Sequence, residues 1–177
     1  MPQLQVYRCA LDLVAALQAA NAHQILHRNI KPDTVLFTKD NVAKLSNFTL
    51  ARAIRPRAND QVTAPGEAVT DLAYTAPEQI DPDATLDVPC DIYGLGACIY
   101  TALTGRPPLA GTGFADLLKR VRTEVPAPPS KYVLGVSGPL EGIVMKCLSK
   151  SPTDRFNSPQ ELGRELHRAG MYQGLWT

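Results

Sequence analysis

No stretch of the 177 residues is apolar for long enough to cross a bilayer as a helix, which takes about 20 residues. The longest nearly apolar run, Ile92 to Leu103, falls short of that, so no membrane contact is expected. The N-terminus lacks a basic region followed by an apolar core, and no secretory signal is expected. The four cysteines, Cys9, Cys90, Cys98 and Cys147, contain no C-x-x-C pair, which argues against a zinc site. They are expected to be reduced, mostly buried thiols of a cytoplasmic protein. A large charge excess is also lacking: the net charge of +1 gives no support for nucleic-acid binding. No internal repeat is present.

What remains is the composition of one ordinary globular domain, 45% hydrophobic and 20% charged. Its charge is unevenly spread. Residues 61–100 hold seven acids (Glu67, Asp71, Glu78, Asp81, Asp83, Asp87, Asp91) and no Lys or Arg, directly after the basic run Arg52, Arg55, Arg57. Fifteen prolines predict several hard helix boundaries.

Hydrophobic spacing predicts a helix over 4–23, with Val6, Ala10, Leu13, Val14 and Leu17 on one face. A polar loop and a hairpin follow, Val35–Phe37 and Val42–Leu45 flanking the turn signal at 38–41. Residues 53–72 have no period and read as a long loop, and long loops in compact domains are usually functional or mobile. Residues 91–104 read as a helix with no polar face, which must be buried on all sides. Gly105 supplies its C-terminal cap, and Pro107-Pro108 forbid continuation. Three amphipathic helices fill 114–170. Phe114, Leu117, Leu118 and Val121 line the first, and Leu140, Ile143, Val144, Cys147 and Leu148 the second. The third opens on the capping box Ser158-Pro159-Gln160-Glu161 and ends at Gly170. The proline-rich stretch 125–130 between the first two is read as an extended connector rather than a ligand for a proline-recognition domain.

Several runs, in this order, resemble the motifs of one family. His27-Arg28-Asn29-Ile30-Lys31-Pro32 resembles the catalytic loop H-R-D-[LI]-K-P of eukaryotic-type Ser/Thr protein kinases, a type also found in bacteria. Ser46-Asn47-Phe48-Thr49-Leu50-Ala51 resembles the D-F-G segment, and Ala76-Pro77-Glu78 the A-P-E motif. Asp91–Gly96 resembles the start of the family's buried central helix and Leu103–Pro108 its end. Cys147–Phe156 resembles the run that supplies a late arginine. The resemblance implies a mainly α fold with a small β-hairpin, the kinase C-terminal lobe, spanning 1–177. Within it fall a catalytic-loop region 25–36, an activation segment 47–78, a central helix 91–104 and late helices 114–170. No G-x-G-x-x-G and no V-A-I-K-like strand occurs, so the chain is expected to lack the N-terminal lobe that roofs the nucleotide.

The resemblance also says which residues should carry the chemistry. In the family, the catalytic-loop Asp accepts the substrate proton and the D-F-G Asp holds Mg2+. Here those positions are Asn29 and Asn47. A carboxamide is not a base near neutral pH, and it is a poor ligand for a hard cation that favours carboxylate and phosphate oxygens. The catalytic-loop Asn, the other metal ligand, is Thr34, and the D-F-G glycine is Thr49. The expectation is therefore a pseudokinase-like module with no cofactor, where the family would use Mg2+ and ATP. Lys31, which the family places near the transferred phosphate, is either a surface cation or the partner of Asp71. His27 and Phe48 should pack together, Asp91 should accept backbone bonds from the catalytic loop, and Glu78 and Arg155 should form a buried ion pair. Arg28 either packs on the loop or receives a phosphate on Thr63 or Thr70. Three roles stay open: binding or scaffolding another protein, completion by an N-terminal lobe on another chain, or a truncated remnant. The face left open by the expected missing lobe should drive contact with a partner or self-association.

Overall fold

The computed structural model describes residues 1–48, 52–53 and 71–175. It is mostly helical. Helix α1 (Gln3–Ala22) follows Pro2 and buries Val6, Tyr7, Ala10, Leu13, Val14 and Leu17. These are the residues that the spacing put on one face, with Tyr7 added.

Among the described residues, short strands follow: β1 (Ile25–Leu26), β2 (Val35–Phe37), β3 (Ala43–Leu45) and β4 (Arg52–Ala53). β2 and β3 form the expected antiparallel hairpin, with Leu36 opposite Lys44. The Ala43 amide donates to Asp12 Oδ2 at 2.9 Å, tying the hairpin to α1. β1 pairs antiparallel with β4, a pairing the sequence did not predict. Of the long loop predicted over 53–72, Ala53 lies in a strand and residues 71–72 are helical, while residues 54–70 lie outside the described residues. Thr49, Thr63 and Thr70 lie outside the described residues.

Helix α2 is Val88–Thr104, three residues longer at its start than the predicted 91–104. The reason is local. The Asp87 side chain caps the helix by accepting from Val88 N at 2.7 Å. Pro89 then sits in the first turn, where no intrahelical donor is needed, and so begins the helix instead of interrupting it. Gly105 closes it in the left-handed region at φ 73°. The absence of a polar face is matched by burial on all sides: Ile92, Leu95, Ala97 and Tyr100 are each almost fully enclosed. Gly96 is required by packing, because a Cβ there would lie inside contact distance of Cys147 Cβ.

Helices α3 (Phe114–Thr123), α4 (Gly138–Cys147) and α5 (Pro159–Tyr172) complete the chain. α5 runs past the predicted end at Gly170 to Tyr172, with Gln173 as its cap. Ser158 Oγ accepts from the Glu161 amide at 3.1 Å, while Glu161 Oε2 accepts from the Asn157 amide, one residue earlier than the expected reciprocal bond. α1 packs on α5 and on α2, and α2 packs on α4. These helices form the main core with Leu26, Ile30 and Ala43. Leu117 and Val121 of α3 lie in a second, smaller core with Leu72, Ala73 and Leu109. Tyr100 donates its hydroxyl to Ala127 O at 2.9 Å, seating the proline-rich connector on α2. Among the described residues no helix is long and apolar enough to cross a membrane.

Candidate functional site

Asp91, in the first turn of α2, organises the loop that holds the candidate site. Its Oδ2 accepts from the His27 amide at 2.8 Å and its Oδ1 from the Arg28 amide at 2.7 Å. Both amides reach one carboxylate because Arg28 adopts a left-handed conformation, φ 63°. Burial pushes the Asp91 carboxyl pKa up, and the two amide bonds and the nearby Arg28 guanidinium partly offset this.

His27 is fully buried. Its Nε2 lies 2.9 Å from Ser46 O, and the Asn29 amide donates to its Nδ1 at 3.3 Å. That pattern selects the neutral tautomer protonated on Nε2, which donates to the Ser46 carbonyl. The Phe48 ring meets the imidazole edge-on, centroids 4.6 Å apart, although Phe48 remains 40% exposed. The predicted His27–Phe48 contact is thus present at the rim and not in the interior.

The three positions that handle charge and metal in the resemblance lie on this frame. Asn29 is half-buried and Asn47 is exposed, with Asn47 held at φ 62°. A left-handed conformation is one that Asn tolerates better than most residues. Thr34 is buried, and its hydroxyl is engaged locally. It accepts from the Lys31 amide at 3.2 Å and lies 2.9 Å from Lys31 O and 3.3 Å from Asn29 O. Thr34 O in turn accepts from the amide and hydroxyl of Ser46. Thr34 therefore fastens the loop to the chain just after β3. Two carboxamides and one internally bonded hydroxyl do not fit Mg2+, which seeks carboxylate and phosphate oxygens.

Lys31 is not a free surface cation. Its Nζ donates to Asp71 Oδ1 at 2.5 Å, with the two side chains only 16% and 29% exposed. The cation of the site is thereby neutralised from within the chain.

Glu78 and Arg155 form the buried pair that the resemblance implies. Arg155 Nη1 and Nη2 donate to Glu78 Oε1 and Oε2 at 2.6 and 2.8 Å. Its remaining donors reach Ser149 O, Pro89 O and Lys150 O, so all five guanidinium hydrogens are used. The guanidinium also lies over the Tyr93 ring, 4.9 Å from its centroid.

Lys150 stands beside this pair and donates its ammonium to Val121 O at 2.8 Å. Burial and the neighbouring Arg155 pull its pKa from 10.5 down to about 8, against a weaker upward pull from Glu124. The unfolded chain therefore holds this proton up to its ordinary value, while the folded chain releases it near 8. Between those pH values the unfolded state binds more protons, so stability should rise with pH across that window. Urea unfolding from pH 7 to 10 should show a rise that is missing in Lys150→Met; a rise of equal size in both would assign it elsewhere.

Sequence reasoning missed Gln79. Its Nε2 donates to Arg28 O at 2.7 Å while its Oε1 accepts from the Ala76 amide at 3.0 Å, stitching the A-P-E turn to the catalytic loop. The signal was legible: Gln at the third position of a turn opened by Pro77 is half of a capping box. Ser46 and Asp12 were missed too, because their bonds run to backbone groups distant in sequence.

Fold and site together describe a helical lobe that presents a loop of kinase type. Comparison with known proteins agrees. The protein kinase domain model matches residues 1–166. Serine/threonine-protein kinase PknB of Mycolicibacterium smegmatis is 33% identical over 165 residues, covering 91% of this chain and 26% of that protein. PknB of Mycobacterium tuberculosis is 35% identical over 163 residues, covering 90% and 26%. Serine/threonine-protein kinase PknL of the same organism is 29% identical over 167 residues, covering 94% and 41%. The chain belongs to the protein kinase family, on the bacterial Ser/Thr kinase side of it. It spans about a quarter of the length of the PknB relatives it matches.

Proposed function

We propose that this chain is a pseudokinase-like module that keeps the frame of a kinase C-terminal lobe, performs no phosphoryl transfer and acts by binding another protein. The observation that carries this reading is the co-occurrence of Asn29 and Asn47 at the two positions where the resemblance expects carboxylates, which removes the base and the principal metal ligand together. Catalysis of phosphoryl transfer is mostly positioning plus electrostatic stabilisation, so losing both carboxylates leaves little for the frame to act with. The neutralised Lys31 and the inward-bonded Thr34 hydroxyl support the same reading. No tight binding of Mg-ATP is expected.

The binding surface proposed is the face beside the hairpin, where Leu36, Phe37 and Phe48 are exposed large apolar residues. Next to them α1, the hairpin and α2 line an open apolar cleft of about 190 Å3, walled in part by Cys9, Leu13, Val35 and Cys98. Exposed apolar surface of this kind marks an interface or an aggregation liability. A second reading, favoured by that same face, is that a β-rich lobe in trans covers it and restores nucleotide binding.

A radiolabel transfer assay with Mg2+ and then Mn2+ tests the main reading. No incorporation above background is expected, either alone or with added N-terminal lobe of a relative. Robust transfer that Asn29→Ala abolishes would overturn it. Light scattering after size exclusion should show self-association that Phe37→Ser reduces; a clean monomer for both proteins would count against the proposed face.

A further inference from the structure

The β2–β3 hairpin presents an edge whose hydrogen-bonding phase can be read from its two ends. Thr34 O accepts from the Ser46 amide, and Val42 O accepts from the Thr38 amide. Bonded pairs alternate along an antiparallel ladder, so Leu36 bonds to Lys44, while Val35 and Phe37 aim their backbone groups away from β3. Ala43, opposite Phe37, has the same phase, since its amide leaves the hairpin for Asp12. The Val35 amide is taken by Pro32 O. The Val35 carbonyl and the Phe37 amide therefore lie on the outer edge of β2, and no strand pairs with that edge among the described residues. Leu36 and Phe37 beside it are 55% and 51% exposed. An edge of this kind is a template for a further strand.

We propose that the outer edge of β2 pairs with the same edge of a second copy of this chain, antiparallel about a two-fold axis at Leu36, to form a four-stranded sheet. The proposal rests on the reading of the hairpin face as a protein-binding surface and names its occupant. The register follows from the side chains. A pairing centred on Val35 sets Asp33 against Phe37 and calls on a Val35 amide that is already engaged. One centred on Phe37 sets Lys39 against Val35. Centred on Leu36, the Phe37 amide of each copy donates to the Val35 carbonyl of the other. Leu45 and Val35 of one copy then continue into Phe37 and Ala43 of the other, an unbroken apolar row on one face of the sheet. Leu36 meets its own counterpart on the opposite face. The same register brings the exposed Asp33 of each copy beside the exposed Lys39 of the other. A two-fold contact requires a surface complementary to itself, and opposite charges placed symmetrically about Leu36 supply that.

Sedimentation velocity on the intact chain measures the dimer, and native mass spectrometry with one variant isotope-labelled identifies mixed pairs. Lys39→Glu and Asp33→Lys should each weaken the dimer about fivefold or more, because each sets like charges together at both ends of the contact. An equimolar mixture of the two variants should associate again as a mixed dimer, since every contact then joins an acid to a lysine. Oxidation with copper phenanthroline reads the register. Leu36→Cys should cross-link to a covalent dimer, because residues facing each other in a non-bonded antiparallel pair stand about 4.5 Å apart between Cα atoms, within disulfide reach. Phe37→Cys, whose counterpart is displaced along the strand, should not. Cross-linking of Phe37→Cys in place of Leu36→Cys would overturn this pairing. A dimer that Phe37→Ser disperses but both charge variants leave unchanged would overturn the paired edge alone and leave the binding face standing. A chain that stays monomeric, or that associates equally well with Phe37→Ser, would overturn the edge and the face together.

Discussion

Arg155→Ala should leave a protein that barely folds. The guanidinium is almost fully buried, and its five donors join the A-P-E turn, the start of α2 and the loop after α4 at one point. Removing it strands the Glu78 carboxylate, itself only 9% exposed, and leaves three backbone carbonyls without this donor in a buried site. Breaking a buried pair by deleting one partner costs about 3–5 kcal/mol. Whole domains are stable by only about 5–15 kcal/mol. For a chain of this size the melting temperature should fall by roughly 6–20 °C. Thermal unfolding followed by far-ultraviolet circular dichroism measures this. Arg155→Lys should recover only part of the loss, because an ammonium keeps the charge but cannot present the fork that grips both Glu78 oxygens. Melting unchanged in Arg155→Ala would contradict the role given to this side chain.

Asp91→Ala should do comparable damage by a different route. Two backbone amides, those of His27 and Arg28, would lose their acceptor inside the protein. Each unsatisfied buried donor costs about 1–3 kcal/mol, so roughly 2–6 kcal/mol is expected. The positive φ of Arg28 depends on the same two bonds, and the loop that presents Asn29, Lys31 and Thr34 should lose its shape before the helices melt. Asp91→Asn should fall between, since its one carbonyl oxygen can still accept while its amide group faces a donor. Hydrogen exchange at residues 27–34 separates the two effects. Loss of protection confined to that loop in Asp91→Asn, and spread to α2 in Asp91→Ala, is the expected pattern. A fully protected loop in Asp91→Ala would rule out the frame described.

Much of this was legible in the chain itself, and the reasons differ by element. The buried face of α1 could be read because five apolar residues repeat at helical spacing. The full burial of α2 could be read because its sequence offers no polar side. The hairpin was visible from its turn residues. The predicted start of α2 at residue 91 falls three residues late, because Asp87 capping puts Pro89 in the first turn, where proline is welcome. The β1–β4 pairing was invisible: two-residue strands carry no alternation to read. The small core was hidden for another reason, since Leu72, Leu109 and Leu117 come from three separate stretches of the chain and meet only in space. At the site, Asn29, Thr34, Asn47, Glu78 and Arg155 came from motif resemblance. The direction of the Thr34 hydroxyl, back into its own turn, could come only from the geometry.

The Lys31–Asp71 contact also sets how this face looks from a distance. Asn29 and Asn47 carry no charge, and the ammonium of Lys31 is matched by the carboxylate of Asp71 at 2.5 Å. These four side chains therefore project almost no field beyond contact range. A phosphate-bearing ligand gains speed when a cleft of opposite sign draws it in, an effect that fades with added salt. This quartet supplies no such attraction of its own.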